Sequence, residues 1–159
     1  MKIGITGHQD LDSEIIIWLQ EVLEKEINNI DVEKGFTSLA IGADQIFAIF
    51  LNERKIPIVV IVPSENYEQT FDSEYIQVYI KLLQKAESII ELDFEEPTEN
   101  AFYRAGKVIA ENSDILFAIW NGEEAKGLGG TADIVSYMKS LNKKIIHFNT
   151  VKRTVTYIN

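Results

Sequence analysis

Short β-branched runs alternate along the chain with longer stretches of helical period. Lys2–Thr6 reads as a buried strand. Ser13–Ile30 reads as a helix, because Ile15, Leu19, Val22, Leu23 and Ile27 recur at helical spacing and Asp12 or Ser13 can cap it. A second strand is expected at Thr37–Ile41 and a helix over Asp44–Arg54. The run Ile56–Val62 gives a third strand, closed by Pro63, and Asp72–Ala86 a helix with Tyr75, Val78, Tyr79 and Leu82 on one side. A short edge strand follows at Ser88–Leu92, then a helix from a Thr98 cap to Asn112, a strand at Ile115–Trp120 and a helix at Thr131–Leu141. Lys144–Phe148 is a strand, and Val151–Ile158 a candidate for one more.

Strands that alternate with helices make βαβ units and a parallel sheet covered on both faces. The predicted fold is therefore a single three-layer α/β/α Rossmann-like domain across residues 1–159, with a mostly parallel sheet. Near-continuous apolar strands such as IPIVVIV and ILFAIW fit burial on both sides. The stretch Glu95–Glu99, with Pro97 inside it, is too short to divide domains.

Composition narrows the function classes. A formal charge of −10 argues against an unaided grip on a nucleic-acid backbone or an anionic membrane, so neither is expected as a partner. A small anion can still be held by backbone N–H groups and one Arg. The absence of Cys removes thiolate metal sites and a Cys nucleophile. His8 and His147 lack a paired acidic motif, so no metal is expected, and no cofactor is implied. No secretory signal or membrane-length apolar run stands out, so a bacterial-type cytoplasm is the expected setting.

The glycines gather at strand exits. Gly4 and Gly7 mark the first strand, Gly42 follows the second, and Gly122, Gly127, Gly129 and Gly130 follow Trp120. In an open parallel sheet, ligands bind outside the carboxyl ends of the strands, where loops become helix N-termini. Gly4 and Gly122 either serve tight turns, the favoured reading, or let the backbone approach a ligand. The loop that ends in GGT before Thr131 is longer than a turn requires, and it aims free N–H groups at an anion. The pattern is neither GxxxxGK[ST] nor GxGxxG after the first strand, which excludes a P-loop and disfavours a dehydrogenase-type dinucleotide fold.

The segments GITGHQD, LAIGADQIFA and YRAGKVIAENSDILFAIWNGEEAKGLGGTADIVSYM resemble the SLOG superfamily over roughly residues 1–148. That superfamily includes LOG-type nucleoside-monophosphate phosphoribohydrolases, DNA-processing proteins and nucleotide-sensor domains. The LOG enzymes carry an Arg on the helix before a strand that ends in PGGxGTxxE. Arg104 matches that Arg, and Gly129, Gly130 and Thr131 match the end of the motif. Ile134 stands where those enzymes have their catalytic Glu, and Asp133 sits one position early. A weaker resemblance links the chain to deoxyribosyltransferases and deoxynucleotide N-hydrolases. Both resemblances imply a pocket for the glycosidic bond and phosphate of a nucleotide.

Each candidate residue has a structural alternative. Arg104 holds a phosphate, or pairs with Glu99 or Glu111 on the surface. Tyr103 stacks or simply packs. Asp44, after Gly42 and Ala43, accepts a ribose hydroxyl or caps the next helix. Asp133 is a shifted acid at the sugar, or complements its helix dipole. His8 contacts phosphate or ribose, or is merely exposed, and His147 is structural. Trp120 stacks on a base or belongs to the core. Ser64, Glu65 and Tyr67 can line the same cleft. The expected function is binding of a nucleotide or derivative, ADP-ribose-like or cyclic, as a sensor or sequestering protein. The alternative is N-glycosidic hydrolysis of a nucleoside 5′-monophosphate, with Arg104 on the phosphate and Asp133 at the sugar. A homodimer is expected through the segment Phe71–Leu83, whose aromatics Phe71, Tyr75 and Tyr79 offer a face.

Overall fold

A computed structural model describes residues 1–125 and 127–159. The strands are β1 (Lys2–Gly7), β2 (Lys34–Thr37), β3 (Ile58–Val62), β4 (Ser88–Glu91), β5 (Ile115–Trp120), β6 (Lys144–Asn149) and β7 (Thr154–Ile158). The helices are α1 (Ser13–Asn28), α2 (Ala43–Glu53), α3 (Tyr75–Gln84), α4 (Glu99–Asn112) and α5 (Thr131–Ser140). They build one seven-stranded sheet in the order β4-β3-β2-β1-β5-β6-β7. All neighbours run parallel except β7, which pairs antiparallel with β6. The expected mostly parallel α/β/α fold is what forms.

Strands β3, β5 and β6 feed two cores because their side chains alternate between faces. On β5, Ile115, Phe117 and Ile119 pack with Leu19, Leu23 and Phe47 of α1 and α2. Leu116 and Ala118 pack on the opposite face with Ile109, Ile134 and Met138 of α4 and α5. All five residues of β3 are buried. The sheet closes at one edge through β7, where the Tyr157 hydroxyl donates to the buried Glu26 carboxylate at 2.8 Å.

The second strand and the third helix depart from expectation in instructive ways. The second strand lies at Lys34–Thr37, upstream of the predicted Thr37–Ile41. From Ser38 onward the backbone leaves the ladder, because the Asp44 carboxylate accepts both the Thr37 hydroxyl and the Ser38 N–H at 2.9 Å. Leu39 then takes a positive φ of 57°, which ends extended structure. Helix α3 begins at Tyr75 because the Asp72 side chain accepts the N–H groups of Glu74 and Tyr75, forming a turn before the helix. A 3₁₀ turn at Tyr67–Thr70 precedes it, which periodicity did not show.

The chain runs outward from β1 to β4 on one side and from β5 to β7 on the other. The order reverses between β1 and β5, and such a switch opens a crevice at the carboxyl ends of those two strands. No helix among the described residues is long and apolar enough to cross a membrane.

Candidate functional site

The floor of the crevice is set by loops that lock onto one another. The His8 N–H donates to the Ile119 carbonyl at 2.9 Å, and the Ala43 N–H donates to the His8 carbonyl at 3.0 Å. Gly42 adopts φ 85°, and a Cβ there would lie 2.4 and 2.5 Å from the carbonyl oxygens of Gln9 and His8. Only glycine permits that backbone approach. The exits of β1, β2 and β5 are thereby fastened together at the switch point.

Above this floor lies a cavity of about 710 Å³. That falls within the usual 300–1,000 Å³ of small-molecule sites. One wall is the first turn of α5, with Gly130, Thr131, Ala132 and Ile134. A second wall is the α4 stripe Phe102, Ala105, Gly106 and Ile109. The far end is formed by Pro63, Tyr67, Phe71 and Pro97. Helix α5 starts at Gly130 without a side-chain cap, so its first N–H groups are free for a ligand.

The predicted residues divide. Gly7, His8, Asp44, Trp120, Gly129, Gly130 and Thr131 line the cavity, as does Tyr67. Gly42 and Ala43 lie beneath it as the loop lock described above. Gly127, Tyr103, Ser64 and Glu65 are not among its walls. Tyr103 instead packs under the Lys107 ammonium, 4.6 Å from its ring centre, and its backbone N would lie 3.0 Å from a Cβ on Gly129. His147 packs on Trp120 with ring centres 4.4 Å apart, so one face of that indole is already covered. The Trp120 indole N–H donates to the Glu123 carbonyl at 2.8 Å.

Both residues expected to do chemistry are engaged elsewhere. Arg104 does not line the cavity. Its guanidinium pairs with Glu111 at 2.9 Å on the surface, and Glu111 also accepts the Tyr137 hydroxyl at 2.8 Å. Asp133 does not line it either, because its carboxylate accepts the Gly129 N–H at 2.9 Å and ties down the loop. Thr131, Ala132 and Ile134 are the α5 residues that line the cavity, and none is acidic.

Three of the titratable groups that line the cavity, His8, Asp44 and Tyr67, are displaced from their ordinary ranges. Burial holds the His8 imidazole below its ordinary range, and the nearby Glu123 only partly offsets this. His8 is therefore neutral at pH 7 and serves as a hydrogen-bonding group. Burial pushes the Asp44 carboxyl up to about 6, against the pull of the Thr37 and Ser38 hydrogen bonds. Burial, with the Asp44 charge beside it, drives the Tyr67 phenol well above its normal range. Among the described residues, no Lys or Arg lines the cavity, and no group of three or more His, Cys, Asp or Glu could hold a metal ion.

The aromatic face expected to carry a homodimer is not presented as one surface. Tyr79 is 2% exposed, and Phe71 stacks on it at 4.6 Å between ring centres. Tyr79 is turned to the interior, Phe71 lines the cavity, and only Tyr75 of the three is exposed.

No sequence family and no curated protein matches the chain. Solved structures do share its fold. DNA processing protein A from Streptococcus pneumoniae matches with a TM-score of 0.68 at 12% identity, over 92% of this chain and 49% of that one. DNA processing protein A from Helicobacter pylori, described for its single-stranded DNA binding mode, matches at 0.64 and 16% identity, over 92% of this chain and 64% of that one. A structural-genomics protein, TM1055, matches at 0.53 and 17% identity, over 89% and 70%. The chain thus spans about half the length of the first and under two thirds of the second. The exclusion of nucleic acid drawn from net charge is overturned, because a protein of this fold binds single-stranded DNA. What the likenesses show for this chain is its fold, a Rossmann-like α/β architecture shared with DNA-processing proteins.

Proposed function

We propose that the cavity binds a nucleotide or nucleotide derivative and leaves it intact. The observation that carries this reading is the first turn of α5. It offers Gly130, Thr131 and Ala132 backbone donors to a phosphate, and it presents apolar Ile134 where an acid would be needed for the sugar. Cleaving an N-glycosidic bond passes through an oxocarbenium-like state that a nearby carboxylate must stabilise. Asp133 is turned onto Gly129 and Asp44 onto Thr37 and Ser38, and the remaining cavity carboxylates, Glu123 and Glu124, stand on the loop after β5 and not on α5.

The test is a thermal-shift and calorimetric screen of nucleoside monophosphates, ADP-ribose and cyclic nucleotides. Chromatography of the incubated samples reports any free base. A true ligand at about 100 times its Kd raises stability by about 2.7 kcal/mol. Binding without base release is the expected result. Base release that disappears in Asp133→Asn would replace this reading with hydrolysis.

A second reading is favoured by the DNA processing protein structures. In it, the same cleft takes one nucleotide unit of a single strand. Competition distinguishes the two: a strand reading requires an oligonucleotide to displace a free nucleotide and to bind more tightly with added length. Its affinity must also fall steeply with salt.

A further inference from the structure

The cavity has an aromatic end that phosphate binding does not use. Tyr67 stands at the centre of it, 3% exposed. Its ring meets Phe71 at 5.2 Å and Phe102 at 6.2 Å between centres, each edge-on, and meets Tyr79 behind at 5.6 Å. Among the described residues no ring pairing joins Phe71 to Phe102, and Phe71 has one face covered by Tyr79 at 4.6 Å and keeps the other for the cavity it lines. The two therefore flank Tyr67 without closing over it. Phe102 is 36% exposed on the first turn of α4 and lines the cavity.

The Tyr67 hydroxyl adds a polar request. None of the side-chain hydrogen bonds among the described residues uses it, although the residue is almost wholly buried and lines the cavity. Its oxygen is not one of the buried side-chain atoms left without a partner, which among the described residues are Ser64 Oγ and Asn52 Nδ2, so it opens to the cavity, where a ligand can take the place of water. The Asp44 carboxyl, also a cavity residue, is near enough to act on the Tyr67 phenol. Sheet order sets the distance to the phosphate side. The Tyr67 end follows β3 and the Thr131 end follows β5, with β2 and β1 between them. Three strand spacings are about 14 Å, which leaves room for a sugar between a ring and a phosphate.

Resting on the nucleotide reading, we propose that the Phe71–Tyr67–Phe102 end is a slot for a planar heteroaromatic base. The base stacks on Phe102 and Phe71, and its hydrogen-bonding edge pairs with the Tyr67 hydroxyl. The cleft thereby selects nucleotides over sugar phosphates that lack a ring.

Calorimetry with the four ribonucleoside 5′-monophosphates, ribose 5-phosphate and inorganic phosphate tests this. An oligothymidylate and an abasic strand of equal length serve as the strand arm. At least one base-bearing probe is expected to bind about tenfold or more tightly than its baseless counterpart, the size of one stacking contact. Phe102→Ala, at a partly exposed position, is expected to erase that preference and leave the baseless probe unchanged. Tyr67→Phe keeps the packing and is expected to weaken the base-bearing probe about three- to tenfold. Equal binding of base-bearing and baseless probes overturns the slot and leaves the nucleotide reading standing. So does an equal loss of both kinds of probe in Phe102→Ala. No binding by any probe overturns the reading and the slot together.

Discussion

Two glycine loops meet at this cleft, and they do different work. At the β2 exit, Gly42 is clamped between the carbonyls of His8 and Gln9, and Asp44 pulls Thr37 and Ser38 inward. At the β5 exit, Gly130 has an ordinary extended φ of −70°, and a Cβ there would come no closer than 3.6 Å to any neighbour. The first glycine is required by packing between loops. The second leaves the start of a helix bare. Glycine at a strand exit thus signals a ligand only where the space beside it stays open.

The largest predicted effect exploits that difference. Gly42→Ala puts a Cβ against two backbone oxygens at φ 85°, and neither can move without breaking the β1–α2 lock. Strain of this kind plus the clash is expected to remove about 3 kcal/mol or more of stability. Gly130→Ala fits the existing backbone and is expected to stay within about 0.5 kcal/mol. Chemical denaturation of both variants measures the contrast. Equal losses would mean that the two loops are equally locked.

The next effect probes how the locked side is held. Asp44 is neutral-favoring in the fold, with its carboxyl raised from 3.8 to about 6 by burial. The group binds its proton more readily folded than unfolded, so its contribution is fully present below about pH 4. It is lost as pH rises through about 6. The difference corresponds to about 3 kcal/mol at most. Asp44→Asn keeps an acceptor oxygen for Thr37 and Ser38 and cannot ionise. Its stability relative to wild type is expected to rise between pH 4 and pH 7. His8 works in the opposite direction: its folded value is lowered, so stability falls as pH drops through 6.5. Because both proteins carry His8, the wild-type minus variant difference isolates Asp44. A flat difference across that window would show that Asp44 is solvated.

These contrasts also explain what could be read in advance. The bounds of α4 and β5 follow from local chemistry: Thr98 caps the Ala101 N–H at 3.2 Å, and ILFAIW is apolar throughout. The end of β2 was misplaced because its cause is tertiary, a carboxylate seven residues ahead that captures Thr37. Arg104 lies off the α4 face that meets the cleft, and periodicity shows why. At 100° per residue, Phe102, Ala105, Gly106 and Ile109 form one stripe, while Arg104 is turned about 200° from Phe102. The same arithmetic puts Ile134 on the side of Thr131 and Asp133 off it. Which helix face meets the cleft was legible; which charged groups would pair across helices was not.

On the open side, a single side chain steadies the glycine loop. Asp133→Ala removes the acceptor of the Gly129 N–H and is expected to cost about 1 kcal/mol. Asp133→Asn retains an acceptor oxygen and is expected to recover most of it. Thermal denaturation of the pair decides the matter. Equal losses in both variants would locate the effect in charge near the start of α5.

The smallest effect is expected at Arg104, and its smallness is informative. The ion pair with Glu111 is partly exposed, with 44% and 34% of the two side chains accessible. Such pairs contribute about 0.2–1 kcal/mol, so Arg104→Ala should change stability by about 0.5 kcal/mol. The resemblance to phosphoribohydrolases implies a much larger change in ligand affinity. Losing a charged hydrogen bond to phosphate costs about 1.5–3 kcal/mol, or roughly 10- to 150-fold in Kd. The position of Arg104 outside the cavity implies less than a twofold change. Titration of the same nucleotide into wild type and Arg104→Ala separates these outcomes cleanly, because the ranges do not overlap. A tenfold loss would mean that the guanidinium leaves Glu111 for the ligand. The phosphate would then be gripped by a charged side chain from α4 as well as by the bare start of α5, and the open side would close when occupied.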